Sequence, residues 1–70
     1  SELAIAVILD RSDGGDEFSK DDAVGWVADD KIKLNEQTVR VILRDLVKKE
    51  DLEVVRGGGR EPRVYRRNTG

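Results

Sequence analysis

A chain of 70 residues allows a single domain that buries only about 60% of the surface its unfolded form exposes, too little for a deep substrate cavity. Cysteine and histidine are both absent, which excludes disulfides, thiolate or imidazole metal sites and the Ser-His and Cys-His catalytic pairs, so no enzyme, cofactor or metal is expected. The net charge of -2 conceals an asymmetry: residues 1–30 carry nine acids against Arg11 and Lys20, a balance of -7, whereas residues 31–70 carry eleven bases against six acids, a balance of +5.

The first element, Glu2 to about Arg11, consists of helix formers and stops at Ser12-Asp13-Gly14-Gly15, where glycine accepts turn conformations. Ile5, Ile8 and Leu9 form its inward stripe, while Leu3 and Val7 lie on the other side and are expected to face water or a partner. The apolar run Leu3–Leu9 is far shorter than the roughly 20 residues of a membrane span, and no basic segment precedes it. A soluble protein is therefore expected, with no membrane partner. Because the sequence contains no Met, Ser1 does not follow a retained start codon, and the chain is expected to be a piece of a longer protein.

Ser19 followed by Asp22 has the form of a capping box, with Phe18 before it as a hydrophobic staple. The second helix is expected from about Lys20 to Ala28, with Ala23, Val24, Trp26 and Val27 inward; Gly25 within it suggests a close helix-helix approach. Asp21, Asp22, Asp29 and Asp30 point in too many directions for a divalent cation and are expected to keep this helix away from phosphate. A turn with Ile32 and Leu34 as apolar plugs leads to Asn35, which caps a third helix expected over about 36–50. There Val39, Ile42, Leu43, Leu46 and Val47 fall at i, i+3, i+4, i+7 and i+8, the cleanest amphipathic pattern in the chain.

After Asp51 the pattern becomes extended, with strands expected at Leu52–Arg56 and Arg63–Arg67 around a mobile Gly57-Gly58-Gly59-Arg60-Glu61-Pro62 tip, and residues 68–70 as a frayed end. Arg56, Arg60, Arg63, Arg66 and Arg67 crowd this hairpin. Charged edge residues that prevent sheet-to-sheet aggregation account for one or two of them, not for five. Trp26 and Tyr65 are expected in the core and over the hairpin base rather than stacked on bases.

Helix, helix, turn, capped amphipathic helix and basic glycine-rich hairpin, in that order, resemble the winged helix-turn-helix superfamily. The resemblance spans nearly the whole chain; its most telling stretches are Asn35–Glu50, similar to a recognition helix, and Leu52–Arg60, similar to the first strand and tip of a wing. It implies an α+β, mostly helical fold of three helices and a two-stranded β-hairpin wing over residues 1–67, and a double-stranded DNA-binding module. A helix fits the major groove, so Gln37, Thr38, Arg40, Val41 and Arg44 are candidate base readers, and Lys48, Arg56, Arg60, Arg63 and Arg66 candidate phosphate contacts. Two other readings compete. Arg40 and Arg44 could merely solvate their helix by pairing with Glu36 and Asp45, and some members of the superfamily serve as protein-interaction modules, to which the net acidity and the exposed Leu3 and Val7 would suit this chain, with the rest of a parent protein or a second copy as partner.

Overall fold

In the computed structural model, which describes residues 2–69, the elements run α1 (Glu2–Arg11), β1 (Phe18–Ser19), α2 (Lys20–Asp29), α3 (Glu36–Lys48), β2 (Leu52–Gly58) and β3 (Glu61–Arg67). About half of the chain is helical, and the fold is α+β. None of the described helices is long and apolar enough to cross a membrane.

The stripe of α3 fixes the architecture. Val39, Ile42, Leu43 and Leu46 are buried together with Ala4 and Ile8 of α1, Ala23 and Val27 of α2, and Phe18, Leu52 and Tyr65 of the sheet. Ile32, Leu34 and Val47 pack at the margin of this core as their spacing predicts. In α1 the inward row is Ala4 and Ile8, so Ile5 and Leu9 fall to its edge, a shift of the expected stripe that follows from the methyl side chain of Ala4 joining the core. Leu3 is left 70% exposed and Val7 half-buried.

Three strands form the sheet where two were expected, in antiparallel order β1-β3-β2. Phe18 and Ser19 pair with Tyr65 and Val64. A strand of two residues between Glu17 and Lys20 has no alternating pattern to betray it, and its Phe18 side chain instead reads as a staple. The Phe18 ring lies 4.9 Å from that of Trp26 and 5.7 Å from that of Tyr65, within the range of favourable aromatic pairs, and so ties α2 to the hairpin.

Both predicted caps are made. The Asp22 N–H donates to Ser19 Oγ at 3.2 Å while the Ser19 N–H donates to Asp22 Oδ2 at 2.9 Å, and the Thr38 N–H donates to Asn35 Oδ1 at 2.8 Å. At its other end α3 stops two residues before the expected limit. Glu50 takes a left-handed φ of 67°, its N–H donating to the Val47 carbonyl at 3.0 Å and that of Asp51 to the Leu46 carbonyl at 2.9 Å. This is the Schellman pattern, and α2 ends in the same way at Lys31, with φ 61°. Glycine ordinarily marks such a stop; Glu and Lys in its place hide it from the sequence.

The strands of the hairpin extend further than expected, to Gly58 and from Glu61, leaving only Gly59-Arg60 as the turn. Gly59, with φ 60°, supplies the positive φ that such two-residue turns demand at their first position. Register shifts flank Arg56, the mark of β-bulges that bend and over-twist a hairpin. In the expected tail, the Asn68 N–H donates to the Asp51 carbonyl at 3.0 Å; the end of that tail, Gly70, lies outside the described residues.

Two glycines divide the expected mutational response. Gly25 faces open space, so the close helix approach expected there does not occur, and a Cβ at that point meets nothing within 4 Å. Gly57 has φ 90°, and a Cβ there would run into the Pro62 carbonyl and come within 2.8 Å of Arg63 Cα. In urea unfolding, Gly25→Ala is expected to stabilise the protein by about 0.5–1 kcal/mol, whereas Gly57→Ala is expected to destabilise it by about 2 kcal/mol or more through backbone strain and overlap.

Candidate nucleic-acid interface

Burying one stripe of α3 necessarily turns another outward. Gln37, Arg40, Val41 and Arg44 are spaced i, i+3, i+4 and i+7, a single helix face. The bulged hairpin brings its tip opposite this face. Between them lies a cleft of about 520 Å³ lined by Gln37, Arg40, Val41 and Arg44 of α3, by the hairpin residues Gly58–Arg63 and Tyr65, and by Ser19, Lys20 and Asp21 at the start of α2. Arg63 lies along the strand rather than away from it, its Nε 3.8 Å from the place a Cβ would take on Gly58. A Cβ at Gly58 would be in ordinary van der Waals contact with Arg63, and the φ of 124° there disfavours any side chain.

The candidate cations separate into two groups. Arg40, Arg44, Arg60 and Arg63 line the cleft, and among the described residues none of them forms an ion pair. Others are engaged elsewhere. Arg56 holds Glu17 at 2.6 Å, Arg66 holds Glu53 at 3.2 Å across a register pair of the hairpin, and Arg67 donates to the Leu9 carbonyl at 2.8 Å with Asp13 at 3.7 Å. These three arginines tie the hairpin to itself, to the segment before β1 and to the end of α1. Arg67 Nε is buried with no hydrogen-bond partner, which shows how far that side chain has been drawn inward.

Of the remaining predicted residues, Lys48 continues the α3 stripe one turn beyond the cleft lining and is exposed. Thr38 is half-buried and committed to the cap, its Oγ1 donating to Asn35 Oδ1 at 3.0 Å. Trp26 and Tyr65 pack in or against the core through the aromatic contacts with Phe18, although Tyr65 also reaches the cleft wall. Among the described residues no three acidic side chains come together as a metal-holding group. No family model, curated protein or solved structure matches this chain.

Lys20 is the site residue that sequence reasoning passes over. It stands in the first turn of α2, where the positive end of the helix dipole disfavours a cation, and that misplacement is the signal that an acid must be near. Its ammonium pairs with Glu36 at the start of α3 and lies 3.6 Å from Asp21. Glu36, which the competing reading paired with Arg40, is thereby taken by another helix. The hydrogen bond from Lys20, and then its charge, hold the Glu36 carboxyl below the ordinary carboxylate range; the same hydrogen bond raises the Lys20 ammonium.

The two shifts act at opposite ends of the pH scale. A lowered carboxyl favours the folded state above its unfolded pKa, a contribution lost as pH falls through the folded value; a raised ammonium favours it below its unfolded pKa, a contribution lost as pH rises through the folded value. A carbon-detected NMR titration is expected to place the Glu36 midpoint below the usual value of about 4.3. A midpoint at or above that value would remove the Lys20 contact from the protein in solution.

Proposed function

We propose that this chain is a double-stranded DNA-binding module of the winged helix-turn-helix type, with α3 entering the major groove and the hairpin tip holding adjacent phosphates. One observation carries the reading: four arginines without ion-pair partners among the described residues, two from α3 and two from the hairpin tip, face a common cleft in a protein of net charge -2. Clustering like charges raises the energy of the free protein, and a polyanion is the partner that relieves it. Element order adds support, with α2, a turn and the capped α3 preceding the hairpin.

The chemistry of the face suits base edges. Arg40 and Arg44 offer the bidentate fork that guanine O6 and N7 accept, Gln37 can do the same for adenine, and Val41 can meet a thymine methyl. Arg60 and Arg63, at the tip, reach sugar-phosphate rather than bases and so position the helix without specifying sequence. Asp21 and Glu61 line the same cleft and would limit how deeply a backbone settles on those sides.

A second reading rests on α1. Leu3, 70% exposed beside the half-buried Val7, offers an apolar contact to a larger parent protein or to a second copy. It is compatible with DNA contact, since neither residue lines the cleft. Sedimentation at high protein concentration separates self-association from a monomer whose Leu3 awaits another partner.

Fluorescence anisotropy with a random-sequence duplex tests the proposal. The two phosphate contacts from Arg60 and Arg63 predict a slope of about -2 in log K against log[salt]. Arg40→Gln/Arg44→Gln and Arg60→Gln/Arg63→Gln are each expected to weaken binding more than tenfold at low salt, roughly 1.4 kcal/mol or more. Arg66→Gln, which removes a paired guanidinium, is expected to change it by less than about threefold. Binding that ignores both salt and the two double substitutions would leave the cleft without this role.

A further inference from the structure

We propose that Lys20 is a positioning residue for Arg40: by occupying Glu36 it keeps that carboxylate off the guanidinium one turn further along α3 and leaves Arg40 open to the cleft. Glu36 and Arg40 are four residues apart with the acid on the N-terminal side, the orientation in which helical ion pairs form most readily. Yet Arg40 makes no ion pair among the described residues, while Glu36 is held by Lys20 from α2. Arg40 remains near enough for its charge to act on both members of that pair.

The Lys20 side chain is 28% exposed against 60% for Glu36. Its location at the start of α2 opposes the local dipole preference, a cost that a contact to α3 offsets. The same ammonium lies 3.6 Å from Asp21, whose residue lines the cleft. One cation thus engages the two carboxylates that the start of α2 and the start of α3 would otherwise offer to the arginine wall. The consequence for affinity rests on the proposed DNA contact; the arrangement in the free protein does not.

Two measurements separate these levels. In DNA-free protein, the Arg40 Nε–Hε resonance is expected to shift, with slower solvent exchange, in Lys20→Gln, to return to its original position in Lys20→Gln/Glu36→Gln, and to stay in place in Lys20→Arg. A resonance that does not move in Lys20→Gln overturns the proposal. With random-sequence duplex, Lys20→Gln is expected to weaken binding about two- to fivefold more when Arg40 is present than in an Arg40→Gln background. Equal losses in both backgrounds would make Lys20 an independent phosphate contact or a source of general charge, and also overturn it. If the unmodified protein does not bind duplex, the DNA reading falls by itself, and the Arg40 resonance alone decides the role of Lys20.

Discussion

Burial of the α3 stripe is the constraint on which the rest of the molecule depends. Val39, Ile42, Leu43 and Leu46 face a core to which every helix and strand contributes, and Leu43 and Val39 are wholly enclosed. Each such side chain contributes about 1.5–3 kcal/mol when removed from water, so rotating the helix about its axis is prohibitive. The outward direction of Gln37, Arg40, Val41 and Arg44 is therefore set by residues that never approach the cleft. Register across the sheet performs the same service for the hairpin: Tyr65 is buried beneath Phe18 and opposite Val54, and the two tip arginines follow from where Tyr65 is anchored.

Arginine density alone would have assigned one role to the whole hairpin, and partner acids divide it. Glu53 stands opposite Arg66 by register, Glu17 reaches Arg56 from before β1, and Asp13 with the Leu9 carbonyl receives Arg67 from the end of α1. Exposed pairs of this kind contribute little to stability individually. Their effect is to fix the base of a bent hairpin against the body, leaving Arg60 and Arg63 near a turn that has no such ties. The acidic N-terminal half is consequently not a mere counterweight to the basic half, because two of its carboxylates, at Asp13 and Glu17, are partners of hairpin arginines.

Much of this was legible in the sequence because it is encoded locally. Helical periodicity gave the α3 core face and hence its outer face, Ser19 and Asn35 gave the two caps, and the glycine cluster gave the hairpin. What escaped is encoded by contacts between distant segments. A two-residue β1 has no period; the left-handed stops at Lys31 and Glu50 lack the glycine that announces them; the approach expected at Gly25 had no partner helix. The cleft itself was half visible: four of its arginines were named from residue type and face, but whether an arginine is paired depends on acids as far as 39 residues away, as for Arg56 and Glu17. Lys20 was passed over for the converse reason, since its significance lies in Glu36, sixteen residues on.

Net charge is a poor guide to partner choice in a molecule of this kind. With extents of 28 × 27 × 19 Å, the protein is several times wider than the Debye length of about 8 Å at physiological ionic strength, so surfaces on different sides act almost independently. What a phosphate experiences is the local set of charges at the cleft, where Arg40, Arg44, Arg60 and Arg63 outnumber Asp21 and Glu61 and Lys20 is paired with Glu36. On the proposed reading, the acids elsewhere would then contribute orientation: at low salt, where screening is weak, they repel a duplex from the other faces and restrict productive encounters to the side on which α3 is exposed. The segregation of charge along the chain is the sequence-level form of that division, and folding converts it into sidedness.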